Sequence, residues 1–213
     1  ACRMSIFGFL KPDRPAPPAE LDIPLFPLKS VLFPGGTLAL KVFEQRYLDM
    51  SADCLKREQP FGVCLILRGE EVGAPASVHS VGTLAHVTQW DMEQLGILQL
   101  GVRGGRRFRI LESPTEAGGL QRARVQLLDE PALTPVPPAQ AGLLSVLKQI
   151  AADVGAERMP EPHAWEDAAW VGYRLTEVMP VQLLAKQKLL ELDDPVSRLE
   201  ILYRYLEPRG LVK

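Results

Sequence analysis

Residues able to carry out catalysis are few in this chain and lie far apart. No two cysteines or histidines have the C-x-x-C or H-x-x-x-H spacing of a zinc site. No serine lies in the G-x-S-x-G turn that exposes a nucleophile, and no G-x-x-x-x-G-K-S/T loop is present to hold phosphates. We therefore predict a protein without a catalytic site, a metal ion or a cofactor.

The most basic segment, residues 101–110, places four arginines around Phe108. They are Arg103, Arg106, Arg107 and Arg109. Arginines interleaved with an aromatic ring can bind single-stranded RNA through phosphate contacts and base stacking. The alternative is structural, because strand alternation separates Phe108 from its two neighbouring arginines. In that interpretation, which we favour, the segment is a hairpin whose arginines pair with nearby acids such as Glu112 or Glu44.

Aromatic and methionine side chains offer a second kind of contact. Trp90 and Met92 lie near the end of a predicted strand, before Gly96, where side chains are often exposed. Exposed tryptophan and methionine recur in binding sites, so we predict that these two residues contact a partner. Trp165 falls on the apolar stripe of a predicted helix and is expected in the core instead.

Residues 21–130 have the pattern of a β domain with one helix. The helix extends from Glu44 to Glu58, and Pro60 ends it. Glycines separate the apolar or alternating runs and indicate turns at 69, 96, 104–105 and 118–119. Pro34-Gly35 has the residue order of a type II turn, in which Gly35 tolerates a positive φ. These runs predict strands at 37–43, 61–67, 81–90, 97–102, 107–111 and 120–128. Six or more short strands with one crossing helix predict a small closed or nearly closed barrel.

The remainder of the chain is predicted to be helical. Residues 131–138, PALTPVPP, have the composition of a linker, and residues 139–213 contain four apolar stripes at helical spacing. Asp194 and Pro195 suit the N-cap and first position of the fourth helix. The predicted fold class is α+β, a β pseudo-barrel with one crossing helix followed by a C-terminal helical bundle.

Composition limits the partners and the compartment. The net charge of −2 disfavours a mainly electrostatic nucleic-acid binder. Three cysteines fit a reducing cytosol better than a disulfide framework, and no apolar run approaches the ~20 residues of a membrane span. Residues 1–20 include the proline-rich PDRPAPPAE and are expected to form a flexible lead-in. We therefore expect a cytoplasmic protein that does not bind membranes.

Many residue types in residues 23–50 stand at fixed offsets. They are Pro24, Leu25, Phe26, Pro27, Leu28, Phe33, Pro34, Gly35, Leu40, Phe43, Glu44, Arg46 and Tyr47. This set resembles the start of the amino-terminal, substrate-binding domain of the ATP-dependent Lon protease. Further motifs of that family are matched by Gly104, Arg107, Phe108 and Ile110, and then by Gln187, Lys188, Leu190, Glu191, Arg198, Leu199 and Leu202.

The resemblance implies a PUA-like pseudo-barrel followed by helices. It also implies a module that binds exposed apolar segments of unfolded proteins, or one specific protein client. The phosphate loop of the full enzyme and its P-K-D-G-P-S-A-G protease motif are absent from this sequence. The motif residues are expected to be mainly structural, with Glu44 tied to Arg107 by a partly buried salt bridge. RNA binding through the arginine segment is the alternative function. We expect a monomer or a weak dimer.

Overall fold

The computed structural model describes residues 19–113, 119–156 and 158–212, apart from the side chain of Glu93. Most of the expected lead-in over residues 1–20, and the predicted turn residue Gly118, lie outside the described residues. The strands are β1 (Glu20–Leu28), β2 (Thr37–Val42), β3 (Phe61–Arg68), β4 (Ser77–Val78), β5 (Val81–Gln94), β6 (Ile97–Glu112) and β7 (Arg122–Leu127). The helices are α1 (Gln45–Arg57), α2 (Ala141–Val154), α3 (Ala168–Val178), α4 (Leu183–Glu191) and α5 (Pro195–Leu206).

The strands form one mixed sheet that closes on itself. β1 pairs in parallel with β3 and antiparallel with β7, and the order continues through β6 and β5 back to β3. The sheet is therefore barrel-like, with α1 crossing between β2 and β3. The C-terminal helices follow it in the chain, so the predicted fold class is confirmed.

Three strand segments extend the sheet beyond this ring. Among the described residues, β2 pairs only with residues 98–103 of β6, and residues 86–94 of β5 pair only with β6. We call these three segments the three-stranded wing. Its two outer edges are β2 and the second half of β5.

The chain enters the three-stranded wing through the turn that the Pro34-Gly35 pair predicts. Gly35 has φ +74°, and the amide of Gly36 donates to the carbonyl oxygen of Phe33 at 2.9 Å. A positive φ at the third residue with this hydrogen bond is the pattern of a type II turn. The turn prediction is confirmed, and the turn lies against β6 because Gly35 and Gly104 are joined by a backbone hydrogen bond of 2.8 Å.

The predicted turn at Gly104 and Gly105 is wrong, because β6 is one strand of 16 residues. These glycines permit close packing instead of a change of direction. A Cβ on Gly104 would overlap the carbonyl oxygen of Phe33, and one on Gly105 would lie 2.6 Å from Nε2 of His86. Gly96, with φ +81°, does form the predicted turn between β5 and β6.

The helices after the sheet have their own apolar core. Leu143 and Leu147 of α2, Val171 and Leu175 of α3, and Leu199 of α5 are all fully buried in it. α5 begins as predicted, because the Asp194 carboxylate accepts from the amide of Ser197 at 2.7 Å. Among the described residues, no helix is long and apolar enough to cross a membrane.

Candidate functional site

Arg107 joins the sheet to the helices. Its side chain is only 3% exposed, and Nη1 donates to the carbonyl oxygen of Leu190 at 2.8 Å. Its Nη2 pairs with Oδ1 of Asp193 at 2.9 Å. Leu190 lies in the last turn of α4, where carbonyl groups lack partners inside the helix and attract a cation. The arginine therefore satisfies the end of one helix from a strand of the sheet.

The predicted partners of Arg107 are wrong. Glu44 pairs with Nη2 of Arg46 at 3.0 Å, and Glu112 pairs with Nη2 of Arg124 at 2.8 Å. The reason is that helices, rather than solvent, cover the side of β6 on which Arg107 lies. Glu44 stands at the start of α1 beside Arg46 and has a closer cation there.

Arg198 and Gln187, two motif residues of the helical half, also lie where the helices meet the sheet. The guanidinium of Arg198 is fully buried, stacks on the Tyr173 ring at 4.2 Å and donates from Nε to the carbonyl oxygen of Leu189 at 2.9 Å. Gln187 of α4 donates to the carbonyl oxygen of Val81 in β5 at 3.0 Å. Burial lowers the pKa of Arg198, and these contacts compensate part of its desolvation.

A second arginine fixes the turn at Pro34 to α3. Nη2 of Arg174 donates to the carbonyl oxygen of Pro34 at 2.8 Å and to Oε1 of Glu177 at 2.9 Å. Burial raises the pKa of the Glu177 carboxyl to about 7, while Arg174 and then Lys186 act in the opposite direction. A Cβ on Gly36 would overlap Oε1 of Glu177, so a larger residue at this position would displace that carboxylate from Arg174.

A cleft of 1010 Å³ opens between the three-stranded wing and the helices. Its floor consists of small side chains, since Ala39 and Gly101 face each other across β2 and β6. The side chain of Gln89 crosses Gly101, because a Cβ there would be 2.5 Å from Cγ of Gln89. The walls combine apolar side chains with polar and charged ones. The apolar residues are Val31, Leu32, Ile150, Val154, Val178 and Leu183, and the polar and charged residues include Thr88, Arg158, Glu177 and Lys186.

The free edge of β2 borders this cleft. The backbone of residues 37–42 pairs with β6 on one side and makes no backbone hydrogen bond on the other side to any residue that the structure describes. Thr37, Leu38 and Ala39 of this strand line the cleft. An open strand edge can accept an additional extended segment.

Trp90 and Met92 are exposed but lie apart from the cleft. Trp90 is 61% exposed and Met92 is 43% exposed. Trp90 stands opposite Leu100 on β6, whereas its neighbour Gln89 stands opposite Gly101 at the cleft floor. Since successive residues of a strand alternate between faces, Trp90 belongs to the other face of the three-stranded wing. Trp165 is half-buried and packs against Trp170 and the apolar core of the helices, but it precedes α3, so its predicted place within that helix is wrong.

The four arginines of the basic segment do not share one exposed surface. Arg107 is buried, and Nη2 of Arg106 donates to the carbonyl oxygen of Leu128 at 2.9 Å. Arg109 is exposed. Arg103 is half-buried on the three-stranded wing, opposite Thr37. Two of the four guanidinium groups are thus engaged inside the protein.

Groups suited to metal or thiol chemistry are sparse in the part of the chain that the structure describes. No cluster of three or more histidine, cysteine or acidic side chains could hold a metal ion there. Burial raises the pKa of the Cys64 thiol to about 12, which disfavours the reactive thiolate.

Sequence reasoning did not identify the cleft residues. Ala39, Arg158 and Lys186 belong to no motif, and the cleft that they line forms only after the helices pack beside the three-stranded wing. One signal was present: β2 combines an apolar face with small, exposed positions, as an edge strand can.

Comparison with known proteins identifies the family. The model of the ATP-dependent protease La (LON) substrate-binding domain matches residues 22–207, and the chain belongs to this family. The Lon N-terminal domain protein from Xanthomonas campestris is 36% identical and superposes with a TM-score of 0.74, covering 87% of this chain and 98% of that one. The N-terminal domain of Mycobacterium avium complex Lon protease, 16% identical with a TM-score of 0.65 and coverages of 88% and 98%, supports the fold alone.

The curated relatives are much longer than this chain. The Lon protease of Anaeromyxobacter dehalogenans is 33% identical over 141 residues, which are 65% of this chain and 16% of that protein. Protein cereblon of Gallus gallus is 32% identical over 112 residues, which are 51% of this chain and 24% of that protein. The chain therefore spans a minor part of each.

Proposed function

We propose that this chain binds extended segments of protein clients in the cleft and catalyses no reaction itself. The observation that carries the proposal is the free edge of β2 beside a cleft with apolar wall residues. Strand addition at this edge supplies backbone hydrogen bonds to a segment of any sequence, and the walls select apolar side chains. Membership of a substrate-binding family supports a protein as the ligand.

The dimensions of the site suit a short peptide. β2 contains 6 residues, which is roughly 20 Å of extended chain at about 3.3 Å per residue. The cleft volume of 1010 Å³ stands at the upper end of the range of about 300–1,000 Å³ for small-molecule pockets. A segment of several residues can therefore lie along β2 with alternate side chains directed into the cleft.

Filling the cleft tests the proposal. Ala39→Trp places a large side chain on its floor at an exposed position, so we expect the fold to persist and binding of a fluorescently labelled unfolded segment to weaken at least about tenfold, or 1.4 kcal/mol. Ala52→Trp is the matched control, because Ala52 is exposed on α1 and lies outside both β2 and the cleft lining. Equal losses in both variants, measured by anisotropy, would argue against the cleft.

The same anisotropy assay distinguishes client binding from the alternative function, RNA binding. Client binding through apolar contacts and strand pairing should persist when salt is raised, whereas RNA binding through arginines weakens steeply with salt. Binding of a labelled structured RNA alone, lost in an Arg103→Ala/Arg109→Ala double variant, would contradict the client proposal.

Two further expectations accompany the proposal. Trp90 and Met92 form a second contact surface for the client, and Trp90→Ala in the same anisotropy assay tests this role.

The protein acts in the cytoplasm as a monomer or weak dimer. Sedimentation at several protein concentrations tests the oligomeric state.

A further inference from the structure

Three cations from separate elements surround the cleft. Arg158, which follows α2, and Lys186 of α4 line it directly. Arg103 of β6 stands opposite Thr37, which also lines the cleft. Residues directly opposite each other on antiparallel strands share one face of the sheet, so Arg103 lies on the cleft face of the three-stranded wing.

In the part of the chain that the structure describes, these cations outnumber the acids of the cleft. Arg103 and Arg158 form no ion pair with another described residue. Nζ of Lys186 donates to the backbone carbonyl oxygen of Glu177 at 2.7 Å, and the Glu177 carboxylate attracts this cation. Glu177 is the acidic residue among the described cleft-lining residues. Its carboxylate is already held by Nε of Arg174 at 2.8 Å. The whole chain has a net charge of −2, so this positive excess is a local property of the cleft.

We infer that the cleft selects client segments that combine apolar side chains with at least one aspartate or glutamate. This inference rests on the proposed function and specifies its substrate class. The apolar wall residues and the open edge of β2 hold the segment, and its carboxylate meets Arg103, Arg158 or Lys186. Complementary charge favours such a segment, while a lysine or arginine at the same position is repelled.

Three labelled unfolded segments of equal length and identical apolar residues test the inference against the full chain. Their two variable positions carry glutamate, glutamine or lysine. At low salt, we expect the glutamate segment to bind at least about tenfold more tightly than the lysine segment, with the glutamine segment between them. Because Coulomb interactions are screened, this difference should shrink in high salt while binding itself persists.

A charge reversal tests whether the preference for the glutamate segment arises in the cleft. Arg158 is exposed, so Arg158→Glu should fold normally and reduce the preference for the glutamate segment at least threefold. Arg204→Glu makes the same change at an exposed position of α5 outside the cleft lining and should leave it unaltered. Equal affinity for all three segments, or a preference that Arg158→Glu does not change, would overturn the inference and leave client binding intact. Binding of none of the segments would instead contradict the proposed function.

Discussion

Buried arginines in this protein satisfy backbone carbonyl groups as well as acids. Arg107, Arg174 and Arg198 each donate to at least one carbonyl oxygen of a neighbouring element. A guanidinium has five donors in a rigid plane, so it can bind carbonyl groups at a helix end and an acid at once. A lysine at these positions could not make the same set of contacts.

At the residue scale, Glu177 gives stability a distinctive pH dependence. Its pKa is raised from 4.5 to about 7, mainly by burial, so near pH 6 the folded protein holds a proton that the unfolded chain has released. The stability that protonated Glu177 contributes to the folded protein is fully present below pH 4.5 and is lost as pH rises through 7. Urea unfolding should show that Glu177→Gln lessens the fall in unfolding free energy between pH 5 and 7 by about 1–2 kcal/mol.

The control for this pH measurement is another glutamate. Glu200 is exposed on α5, and Glu200→Gln should keep the wild-type pH profile. An unchanged profile in Glu177→Gln would show that Arg174, at 2.8 Å, outweighs burial and keeps Glu177 ionised in the folded protein.

At the element scale, β6 organises the molecule. Residues 98–103 of this strand pair with β2, residues 97–109 pair with β5, and residues 108–112 pair with β7. The same strand therefore belongs to both the barrel-like ring and the three-stranded wing. Continuity through Gly104 and Gly105 is what keeps the cleft floor attached to the ring.

Adding a methyl group to Gly104 should destabilise this arrangement. The new Cβ in Gly104→Ala would overlap the carbonyl oxygen of Phe33, and backbone cannot move aside easily. We expect a loss of about 2–3 kcal/mol in unfolding free energy, measured with urea. Gly105→Ala is the matched control, because it meets the exposed His86 side chain, which can rotate away at a smaller cost. Equal losses would contradict the close-packing role.

Local patterns predicted local features of these elements well. The Pro34-Gly35 turn, α1 and the Asp194 cap follow from a few neighbouring residues, and all three are observed. The local pattern at Gly104 predicts a turn, whereas the structure needs glycine there because the carbonyl oxygen of Phe33, 71 positions earlier in the chain, packs against it. The partner of Arg107 was missed for the same kind of reason, since Asp193 is 86 residues away. Local patterns could not predict the cleft, because it forms only where the three-stranded wing and the helices pack side by side.

At the scale of the whole molecule, the binding site depends on how the helices are held. The cleft has one wall from the three-stranded wing and another from α2, α3 and α4, so it exists only while the two halves stay packed. Phe33, Val81, Ala169, Tyr173 and Leu190 form the apolar cluster between them. Arg107, Arg174 and Gln187 add the polar contacts that fix their relative position.

Removing Arg107 should therefore weaken both stability and client binding. Arg107→Met keeps an apolar side chain of similar length but loses the bonds to Leu190 and Asp193, leaving carbonyl groups at the end of α4 without a partner. We expect a loss of about 2–4 kcal/mol and a weaker coupling between the halves. Arg204→Met, at an exposed position of α5, is the control and should behave as wild type.

Two probes distinguish loss of coupling from a general loss of stability. Circular dichroism follows all helices, while in a Trp90→Phe background the fluorescence of the remaining Trp165 and Trp170 follows the helical half. In the wild type the two thermal transitions should coincide, because the halves unfold together. In Arg107→Met the fluorescence transition should come first, and client affinity should fall at temperatures where that half has loosened. Coincident transitions at the wild-type melting temperature would show that Arg107 does not hold the cleft together.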